Sequence, residues 1–279
     1  MKYPTPLISI IVAVFNGAKT LQQCIDSVAQ QSYANKELII IDGGSKDGTA
    51  DLLKANSERI SYWISEPDRG IYNAWNKGLA QAKGDWICFL GADDYFWDLQ
   101  VLERVSAQLE KIPSSIRVAY AQVVIVSESG GSLYRIGEPW QKVKNNFNQF
   151  TCIPHTGTMH RRSLFELHGG FDESFRISGD YELLLRELKT GDAYFAEDVI
   201  VVAMRIGGVS WSVANSSQVV LENMRAFKMH GQHLTKRLWL MVKAYIKVIL
   251  WVVFGERFAR KVLDFYRRIR CLPTYWARM

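Results

Sequence analysis

Apolar and polar positions alternate in blocks along the first hundred residues. Continuous β-rich apolar runs predict buried strands, and apolar side chains spaced three or four residues apart predict helices. The predicted strands lie at residues 7–14, 38–41, 60–64 and 86–90, and the predicted helices at residues 18–31, 47–53, 70–82 and 99–109. Apolar strands separated by helices are typical of a parallel sheet. The pattern therefore predicts an α/β fold with a doubly wound, mostly parallel sheet and helices on both faces.

The pattern becomes less regular after residue 117. An apolar run at residues 118–126 predicts another strand, and Gly130 and Gly131 predict a turn after it. The remaining predictions are a polar loop at residues 142–149, short strands at 156–160 and 199–204, and a helix at 179–188. The chain shows no internal repeat.

The C-terminal segment combines apolar and basic residues. Residues 238–254 are almost wholly apolar but contain Lys243 and Lys247, and basic residues recur every three or four positions up to Arg268. The uncharged run at residues 248–255 gives about 12 Å of helix, whereas the hydrocarbon core of a bilayer is about 30 Å thick. Spanning a membrane would therefore bury a lysine. The pattern favours C-terminal amphipathic helices lying on a membrane; helices packed on the protein body or at a dimer interface are the alternative.

Charge is distributed unevenly along the 279 residues. The whole chain has a formal net charge of +6, but residues 236–279 carry 11 Lys and Arg against two acidic residues, a net of +9. The preceding residues therefore have a net charge of −3. A slightly acidic body with a basic tail differs from a uniformly basic nucleic-acid-binding protein, so we expect an anionic membrane surface as partner and no nucleic acid.

Composition limits the class of protein further. The chain is 48% hydrophobic, which suits one large globular domain with an appendage. Its four cysteines are far apart and form no CxxC pair, so we expect no zinc site, no disulfide framework and a reducing cytosol. The first apolar run has only eight residues, which indicates a buried strand rather than a signal peptide.

Polar clusters follow three of the predicted strands, at residues 42–47, 66–70 and 91–94. In open parallel sheets, ligands bind beyond the carboxyl ends of the strands. Asp42 is a candidate to accept a hydrogen bond from a pyrimidine base, or to cap the turn at Gly43. Arg69 and Lys77 are candidates to bind phosphate, or ordinary surface charges near a helix start.

Two adjacent carboxylates, Asp93 and Asp94, follow the predicted strand at residues 86–90. Neighbouring carboxylates repel each other, and a hard divalent cation compensates their charge. Mg²⁺ is typically held by one or two carboxylates together with substrate phosphates. The pair is therefore a candidate metal site, and a cap for the following helix is the alternative.

Two further side chains are candidates for chemistry. Asp180 begins the predicted helix at residues 179–188, where it could act as a general base; an acidic residue is also electrostatically favoured in any first helical turn. His155 is a candidate to contact a phosphate or an acceptor, although a lone histidine is often structural.

Three common motifs are absent from the sequence. It contains no GxGxxG, no GxxxxGK[ST] and no GxSxG. These absences disfavour ordinary NAD enzymes, kinases and hydrolases.

Taken together, the motifs resemble one family. They are SIIVAVFN at residues 9–16, IIDGGSKDGT at 40–49, SEPDRGIYNAWNKG at 65–78, LGADD at 90–94, GFDE at 170–173 and SGDYE at 178–182. The chain resembles the family 2 glycosyltransferases with the GT-A fold, of the bacterial polysaccharide-assembly type, over roughly residues 7–205. Trp75 departs from the pattern, because a smaller or Met-like residue is expected there.

The resemblance implies a reaction and a domain organisation. We expect inverting transfer from a nucleotide-diphosphate sugar, with a UDP-sugar favoured, to a hydroxyl of a polyprenyl-diphosphate-linked saccharide. Residues 1–214 would form the catalytic domain, with a nucleotide-sugar half at 1–112 and an acceptor half at 113–214. Residues 215–279 would form the basic helical tail. The enzyme would be cytoplasmic and peripheral on the inner face of the plasma membrane, and the tail could also support a homo-oligomer.

The resemblance also implies roles for single residues. Ala13 and Asn16 would line the nucleotide site, Asp42 would meet the base, and Asp68 falls in a nucleotide-contacting segment. Asp94, with Asp93, would bind Mg²⁺ or Mn²⁺. Asp180 would be the catalytic base. Arg69, Lys77 and His155 stay candidates for donor and acceptor contacts, as described above.

Two other functions fit parts of the pattern. A sugar nucleotidyltransferase also uses a doubly wound domain and paired carboxylates, but a Gly-rich basic loop, which usually follows its first strand, is missing after residue 14. A non-catalytic scaffold with the same fold is disfavoured because Asp42, Asp93, Asp94 and Asp180 are all present.

Overall fold

The computed structural model describes residues 5–147, 152–208, 215–231, 242, 246 and 249–269. In these ranges one nine-stranded sheet is covered by helices. The strands are β1 (Ile8–Val14), β2 (Lys36–Asp42), β3 (Tyr62–Ser65), β4 (Trp86–Gly91), β5 (Tyr95–Phe96), β6 (Val118–Val126), β7 (Ser132–Ile136), β8 (Met159–Arg161) and β9 (Ala193–Arg205). The helices are α1 (Leu21–Ala29), α2 (Thr49–Ala55), α3 (Ile71–Gln81), α4 (Val101–Leu109), α5 (Trp140–Phe147), α6 (Arg162–His168), α7 (Gly179–Leu188), α8 (Ser216–Met229) and α9 (Glu256–Ile269).

The strand order is β3-β2-β1-β4-β8-β6-β9-β5, with β7 paired to β6. Strands β1 to β4 form parallel ladders, and β6 pairs with β9 in parallel. Short antiparallel pairings of β8 join the two parts of the sheet. Most paired residues thus lie in parallel ladders, and the doubly wound α/β fold predicted from the sequence is confirmed.

Alternating side chains of β1 show why helices cover both faces. Ile10 and Val12 belong to a core that includes the apolar sides of α1 and α4. Ile11 points the other way, into a core that includes α3 and α7. Successive strand side chains point to opposite faces, so a continuous apolar run needs cover on both.

The predicted strand at 118–126 and helix at 179–188 have the bounds of β6 and α7. The predicted loop at 142–149 is wrong, because α5 occupies residues 140–147. Trp140 and Phe147 are seven residues apart on one side of α5, and both are buried. Their packing outweighs the polar residues between them. Residues 148–149 of that prediction lie outside the described residues.

The helix α8 packs on α7. The rings of Phe227 and Tyr181 meet edge to face at 5.5 Å, and His230 Nε2 lies 2.8 Å from Glu182 Oε1. The first helix of the predicted tail therefore shares the core of the sheet domain. None of the helices in the described ranges is long and apolar enough to cross a bilayer. Residue 214, after which the domain boundary was predicted, lies outside the described residues, as do nine of the seventeen residues of the predicted apolar stretch at 238–254.

Candidate active site

The loops after β1 and β2 are joined by hydrogen bonds. The Asn16 N–H donates to Ser45 Oγ at 2.7 Å, and the Lys46 N–H donates to Asn16 Oδ1 at 3.1 Å. Asn16 has φ +52°, a left-handed conformation that asparagine tolerates better than most residues. Ala13 is half-buried at the end of β1. Ala13 and Asn16 thus lie at one strand end, as predicted, and their contact with a nucleotide stays a prediction.

Asp42 is the last residue of β2 and is fully buried. Its Oδ2 accepts hydrogen bonds from the Ser45 N–H at 3.1 Å and from the Ser65 hydroxyl at 2.5 Å. The Ser45 hydroxyl also donates to Oδ1. These bonds fix the carboxylate between the ends of β2 and β3, so Asp42 holds the turn at this strand end. Its contact with a base is not tested by this geometry.

The loop after β3 carries Asp68, which accepts a hydrogen bond from the Gly70 N–H at 2.8 Å. Gly43 lies directly beside this carboxylate, and a Cβ there would be 2.6 Å from Asp68 Oδ2. A larger residue at position 43 would force the Asp68 side chain to move, so glycine permits this arrangement of the loops after β2 and β3. The structure brings Asp42 and Asp68 to one edge of the sheet.

Each predicted phosphate ligand is paired with a glutamate. Arg69 lies 2.5 Å from Glu173, and Lys77 lies 2.7 Å from Glu66. Ion pairs this exposed contribute at most about 1 kcal/mol, so neither pairing would prevent a phosphate from binding. The role of both cations in binding phosphate stays a prediction.

Asp93 and Asp94 follow β4 at the same edge. Asp94 is buried; its Oδ2 accepts a hydrogen bond from the Thr156 hydroxyl at 2.9 Å, and its Oδ1 accepts one from the Arg205 N–H at 3.0 Å. The Arg205 guanidinium donates to the Asp93 carbonyl at 2.5 Å. Burial and the charge of Asp93 raise the pKa of Asp94 to about 7, and burial also raises the pKa of Asp93.

These two carboxylates fit a divalent cation. Burial is the main cause of the raised pKa of both carboxylates, and a bound divalent cation would favour their charged forms. In the part of the chain that the structure describes, no group of three or more His, Cys, Asp and Glu side chains could hold a metal. A cation at Asp93 and Asp94 would therefore need further oxygen ligands, which substrate phosphates and water supply to Mg²⁺ in many sites.

Asp180 lies in the first turn of α7, half-buried. The Tyr72 hydroxyl donates a hydrogen bond to Asp180 Oδ1 at 3.2 Å. Burial raises the pKa of Asp180 to about 6, although hydrogen bonds from the Tyr181 backbone and Tyr72 oppose the shift. Next to it, a Cβ on Gly179 would lie 2.8 Å from the Tyr72 ring, so this glycine permits the contact. The geometry suits a carboxylate that is ionised at neutral pH and can accept a proton.

A continuous series of contacts joins Asp180 to Asp94. The Tyr72 ring lies 5.5 Å from the Trp75 ring, and the Trp75 ring lies 5.0 Å from that of His155. His155 precedes Thr156, the hydrogen-bond partner of Asp94. Trp75, the residue that departs from the family pattern, is buried at the centre of this series. The two predicted catalytic groups thus belong to one packed region beside β4.

His155 is packed among rings rather than among polar groups. Its ring stacks on Phe89 at 5.5 Å, and its Nε2 has no hydrogen-bond partner in the described ranges. Burial lowers the pKa of His155 to about 3, so the side chain is neutral near pH 7. This environment does not favour a phosphate contact through a charged imidazole, and a contact with the acceptor stays a prediction.

Arg205, Thr156 and Tyr72 lie in the site but were not predicted from the sequence. Arg205 ends β9, one residue beyond the predicted strand at 199–204. Had the predicted strand extended to residue 205, the rule that ligands bind at strand ends would have indicated Arg205. Thr156 and Tyr72 carry no such signal, because their roles depend on contacts with residues far away in the sequence.

Comparison with known proteins shows the family and the fold of this chain. The model of the family "Glycosyl transferase family 2" matches residues 9–167, which is more than half of the chain. The chain belongs to glycosyltransferase family 2. An uncharacterized glycosyltransferase of Rickettsia typhi is 30% identical over 203 residues, which cover 71% of this chain and 63% of the relative. The chain therefore spans less than two thirds of that relative's length.

A second relative of this glycosyltransferase is a PGL/p-HBAD biosynthesis glycosyltransferase of Mycobacterium bovis. It is 32% identical over 185 residues, which cover 65% of this chain and 69% of the relative.

Two solved structures share the fold. The Pyrobaculum calidifontis mannosyltransferase PcManGT, in complex with GDP-Man and Mn²⁺, has a TM-score of 0.63 and 16% identity, covering 100% of this chain and 84% of its own. S. aureus TarS 1–349, in complex with UDP-GlcNAc, has a TM-score of 0.63 and 13% identity, covering 94% and 77%. Together with the mostly parallel sheet, these likenesses confirm the predicted GT-A fold.

Proposed function

We propose that this family 2 glycosyltransferase is a metal-dependent, inverting enzyme. It transfers a sugar from a nucleotide-diphosphate sugar to a hydroxyl of a polyprenyl-diphosphate-linked saccharide. The observation that carries the proposal is the environment of Asp180. This carboxylate has a pKa raised to about 6 and lies at a helix start that is joined by packed rings to the Asp93–Asp94 pair.

The chemistry follows from one base. At neutral pH Asp180 is ionised and accepts the proton of the acceptor hydroxyl. The hydroxyl oxygen then bonds to the anomeric carbon from the face opposite the leaving nucleoside diphosphate, and the bond from that carbon to the diphosphate oxygen breaks. A single displacement inverts the configuration at this carbon.

Asp94, with Asp93, is the proposed ligand of Mg²⁺ or Mn²⁺. When bound, a divalent cation stabilises the negative charge that develops on the leaving diphosphate. The buried Asp94 is held by Thr156 and by the Arg205 N–H, so its direction is fixed before any ligand binds. The Pyrobaculum mannosyltransferase, which shares the fold, was solved with Mn²⁺, and this supports a divalent cation as the cofactor.

The donor would lie along the ends of β1, β2 and β3. Ala13 and Asn16 would line the nucleotide pocket, Asp42 would meet the base, and Asp68 would face the nucleotide. Arg69 and Lys77 would leave their glutamate partners and bind the diphosphate instead. A UDP-sugar is favoured because an aspartate at the base position can accept the N3–H of uracil. S. aureus TarS binds UDP-GlcNAc, whereas the Pyrobaculum mannosyltransferase, with the same TM-score, binds GDP-Man. His155 would contact the acceptor.

The tail would place the enzyme on the inner face of the plasma membrane. The helix α9 exposes Phe258, Phe265 and Ile269, and it carries Arg257 and Lys261, which are also exposed. An exposed face of apolar and basic side chains fits the surface of an anionic bilayer. A homo-oligomer formed through the same face is the second candidate, because exposed apolar side chains also mark protein interfaces.

The variant Asp180→Asn tests the reaction. We expect a folded protein that binds UDP with Mn²⁺ but has lost transfer by roughly 100-fold or more. The assay measures UDP release and sugar transfer from a panel of UDP-sugars to a polyprenyl-diphosphate-linked saccharide. Asp51→Asn is the control, because Asp51 also lies in a first helical turn but is exposed.

Three outcomes would contradict the proposal. Unchanged turnover in Asp180→Asn would exclude Asp180 as the catalytic base. Release of pyrophosphate instead of UDP would indicate a nucleotidyltransferase. Failure of the wild-type protein to bind any nucleotide in the presence of Mn²⁺ would indicate a non-catalytic scaffold.

A further inference from the structure

Three consecutive backbone N–H groups before α7 point at one buried carboxylate. Glu222 of α8 accepts a hydrogen bond from the Arg176 N–H at 2.9 Å on Oε1, and from the Ile177 and Ser178 N–H groups at 2.9 and 2.8 Å on Oε2. Gln218, one turn earlier in α8, donates to Oε1 at 2.9 Å. Glu222 is only 5% exposed. Three hydrogen bonds thus tie this side chain to the segment that leads into Asp180, and a fourth, from Gln218, orients the carboxylate within α8.

The same segment is attached to α3 on its other side. Asn76 donates to the Phe171 carbonyl and accepts from the Phe171 N–H, both at 2.9 Å. Asn73 donates to Glu173 at 2.9 Å. Residues 171–178 are therefore held between α3 and α8, and only Gly179 separates them from Asp180.

A second residue of α8 reinforces the attachment. Arg225 donates to the Ser174 hydroxyl at 2.6 Å and to the Ser174 carbonyl at 3.2 Å. Its guanidinium also lies 4.4 Å from the centre of the Phe175 ring. Gln218, Glu222 and Arg225 are spaced by four and three residues, so they lie on one side of the helix.

We propose that Glu222 is a positioning residue, which fixes the turn at residues 176–178 and thereby holds Asp180 against the Tyr72 hydroxyl. This inference rests on the proposed role of Asp180 as the base. It adds a residue of α8, which lies beyond the matched family region at residues 9–167, to the machinery of the reaction.

The charge of Glu222 is stable near neutral pH. Burial raises its pKa, but the hydrogen bonds from Gln218 and from the three N–H groups outweigh burial, and the net pKa lies below the ordinary value. Two groups facing Asp180 from neighbouring helices act on its pKa: the Tyr72 hydroxyl on α3 lowers it, and the negative charge of Glu222 on α8 raises it. Loss of that charge alone lowers the pKa of Asp180, so Glu222→Asp, which keeps the charge, is the variant that separates positioning from the effect of charge.

The test compares Glu222→Gln and Glu222→Asp in the full chain, with Glu128→Gln as a control that removes a charge from an exposed turn. We expect Glu222→Gln to lower kcat by roughly 10- to 100-fold, because small displacements of a catalytic group have effects of this size. The donor KM should stay within about twofold, and the acidic limb of the kcat profile should move to lower pH. Glu222→Asp keeps the charge but is shorter, so kcat should fall while the acidic limb stays in place.

The inference and the proposed function can fail separately. Glu222 has no positioning role if Glu222→Gln has the same kcat and the same pH profile as the control Glu128→Gln. This conclusion requires that Asp180→Asn is inactive. If Asp180→Asn is active, the proposed function fails first.

Should Glu222→Gln not fold, Gln218→Ala is the second variant, because it removes one hydrogen bond to Glu222 and leaves the charge of Glu222 in place. A kcat for this variant within twofold of wild type would also overturn the inference, and a several-fold loss at constant donor KM would support it.

Discussion

The strand ends of the N-terminal half and the start of α7 hold their carboxylates by different means. In the N-terminal half, parallel pairing places Val14 opposite Asp42 and Ala13 opposite Gly91, so the ends of β1, β2 and β4 meet at one edge. Asp180 instead depends on side chains from α3 and α8, and its partner Tyr72 is 108 residues away in the sequence. Backbone ladders bring the strand ends of the first group to one edge, whereas contacts from α3 and α8 position the start of α7.

This difference predicts different consequences of mutation. Replacing a strand-end carboxylate by an amide should leave the structure of the sheet unchanged. Such variants should therefore affect the binding of the metal or the donor. The start of α7 is held by a few side chains, so its variants should affect turnover.

The largest effect that separates the two regions is expected for Asp94→Asn. We expect transfer to fall by roughly 100-fold or more, because the buried pair would lose the charge that attracts a divalent cation. Mn²⁺ should raise the melting temperature of the wild-type protein in the presence of UDP, but not that of this variant. Chelation with EDTA should stop wild-type transfer, and Asp51→Asn is the control. Full activity of wild-type protein in EDTA would exclude metal dependence.

The second effect is a pH dependence set by the α7 region. Because the pKa of Asp180 is raised to about 6, the base is protonated below that pH, and kcat should fall about tenfold for each further pH unit. The measurement is a kcat profile from pH 4.5 to 8 at saturating donor, acceptor and Mn²⁺. A kcat that stays almost constant down to pH 4.5, as an aspartate with an ordinary pKa would give, would show that burial of Asp180 does not persist during turnover.

A smaller effect, on donor KM rather than on kcat, is expected for a substitution at the end of β2. Asp42→Asn should raise the donor KM about tenfold and leave kcat within about twofold, because a hydrogen bond to a charged acceptor contributes about 1.5–3 kcal/mol. The Ser45 and Ser65 hydroxyls can rotate to serve an amide, so the fold should persist. Ser65→Ala is the control for the buried network. A fall in kcat at unchanged donor KM would place Asp42 outside the nucleotide site.

The smallest effect on turnover is expected in α9. Replacing Phe258 and Phe265 together by Ser should reduce sedimentation with phosphatidylglycerol vesicles, since full burial of each ring contributes roughly 1.5–3 kcal/mol. Turnover with a water-soluble acceptor should stay within about twofold. Leu167→Ser is the matched control, because Leu167 is an equally exposed apolar residue on α6. Unchanged sedimentation with vesicles, together with a change in oligomeric state, would instead support a subunit interface.

The comparison also explains which predictions succeeded. The continuous apolar runs of β1, β2, β4 and β6 are local signals, so they predict these strands without any knowledge of tertiary contacts. The helix α5 was missed because its stability comes from Trp140 and Phe147 meeting the core, and a polar local sequence does not reveal that contact.

The sequence alone determined the family, the alternation of strands and helices, and the positions of Asp42, Asp68, Asp93 and Asp94 at strand ends. Parallel-sheet geometry brings such ends to one edge whatever the details of packing. Only the tertiary structure decided that Arg205 and Thr156 hold Asp94, that Tyr72 meets Asp180, and that Glu222 fixes the turn before it. Those contacts join residues far apart in the chain, and hydrogen bonds form only where packing brings their atoms within about 3 Å.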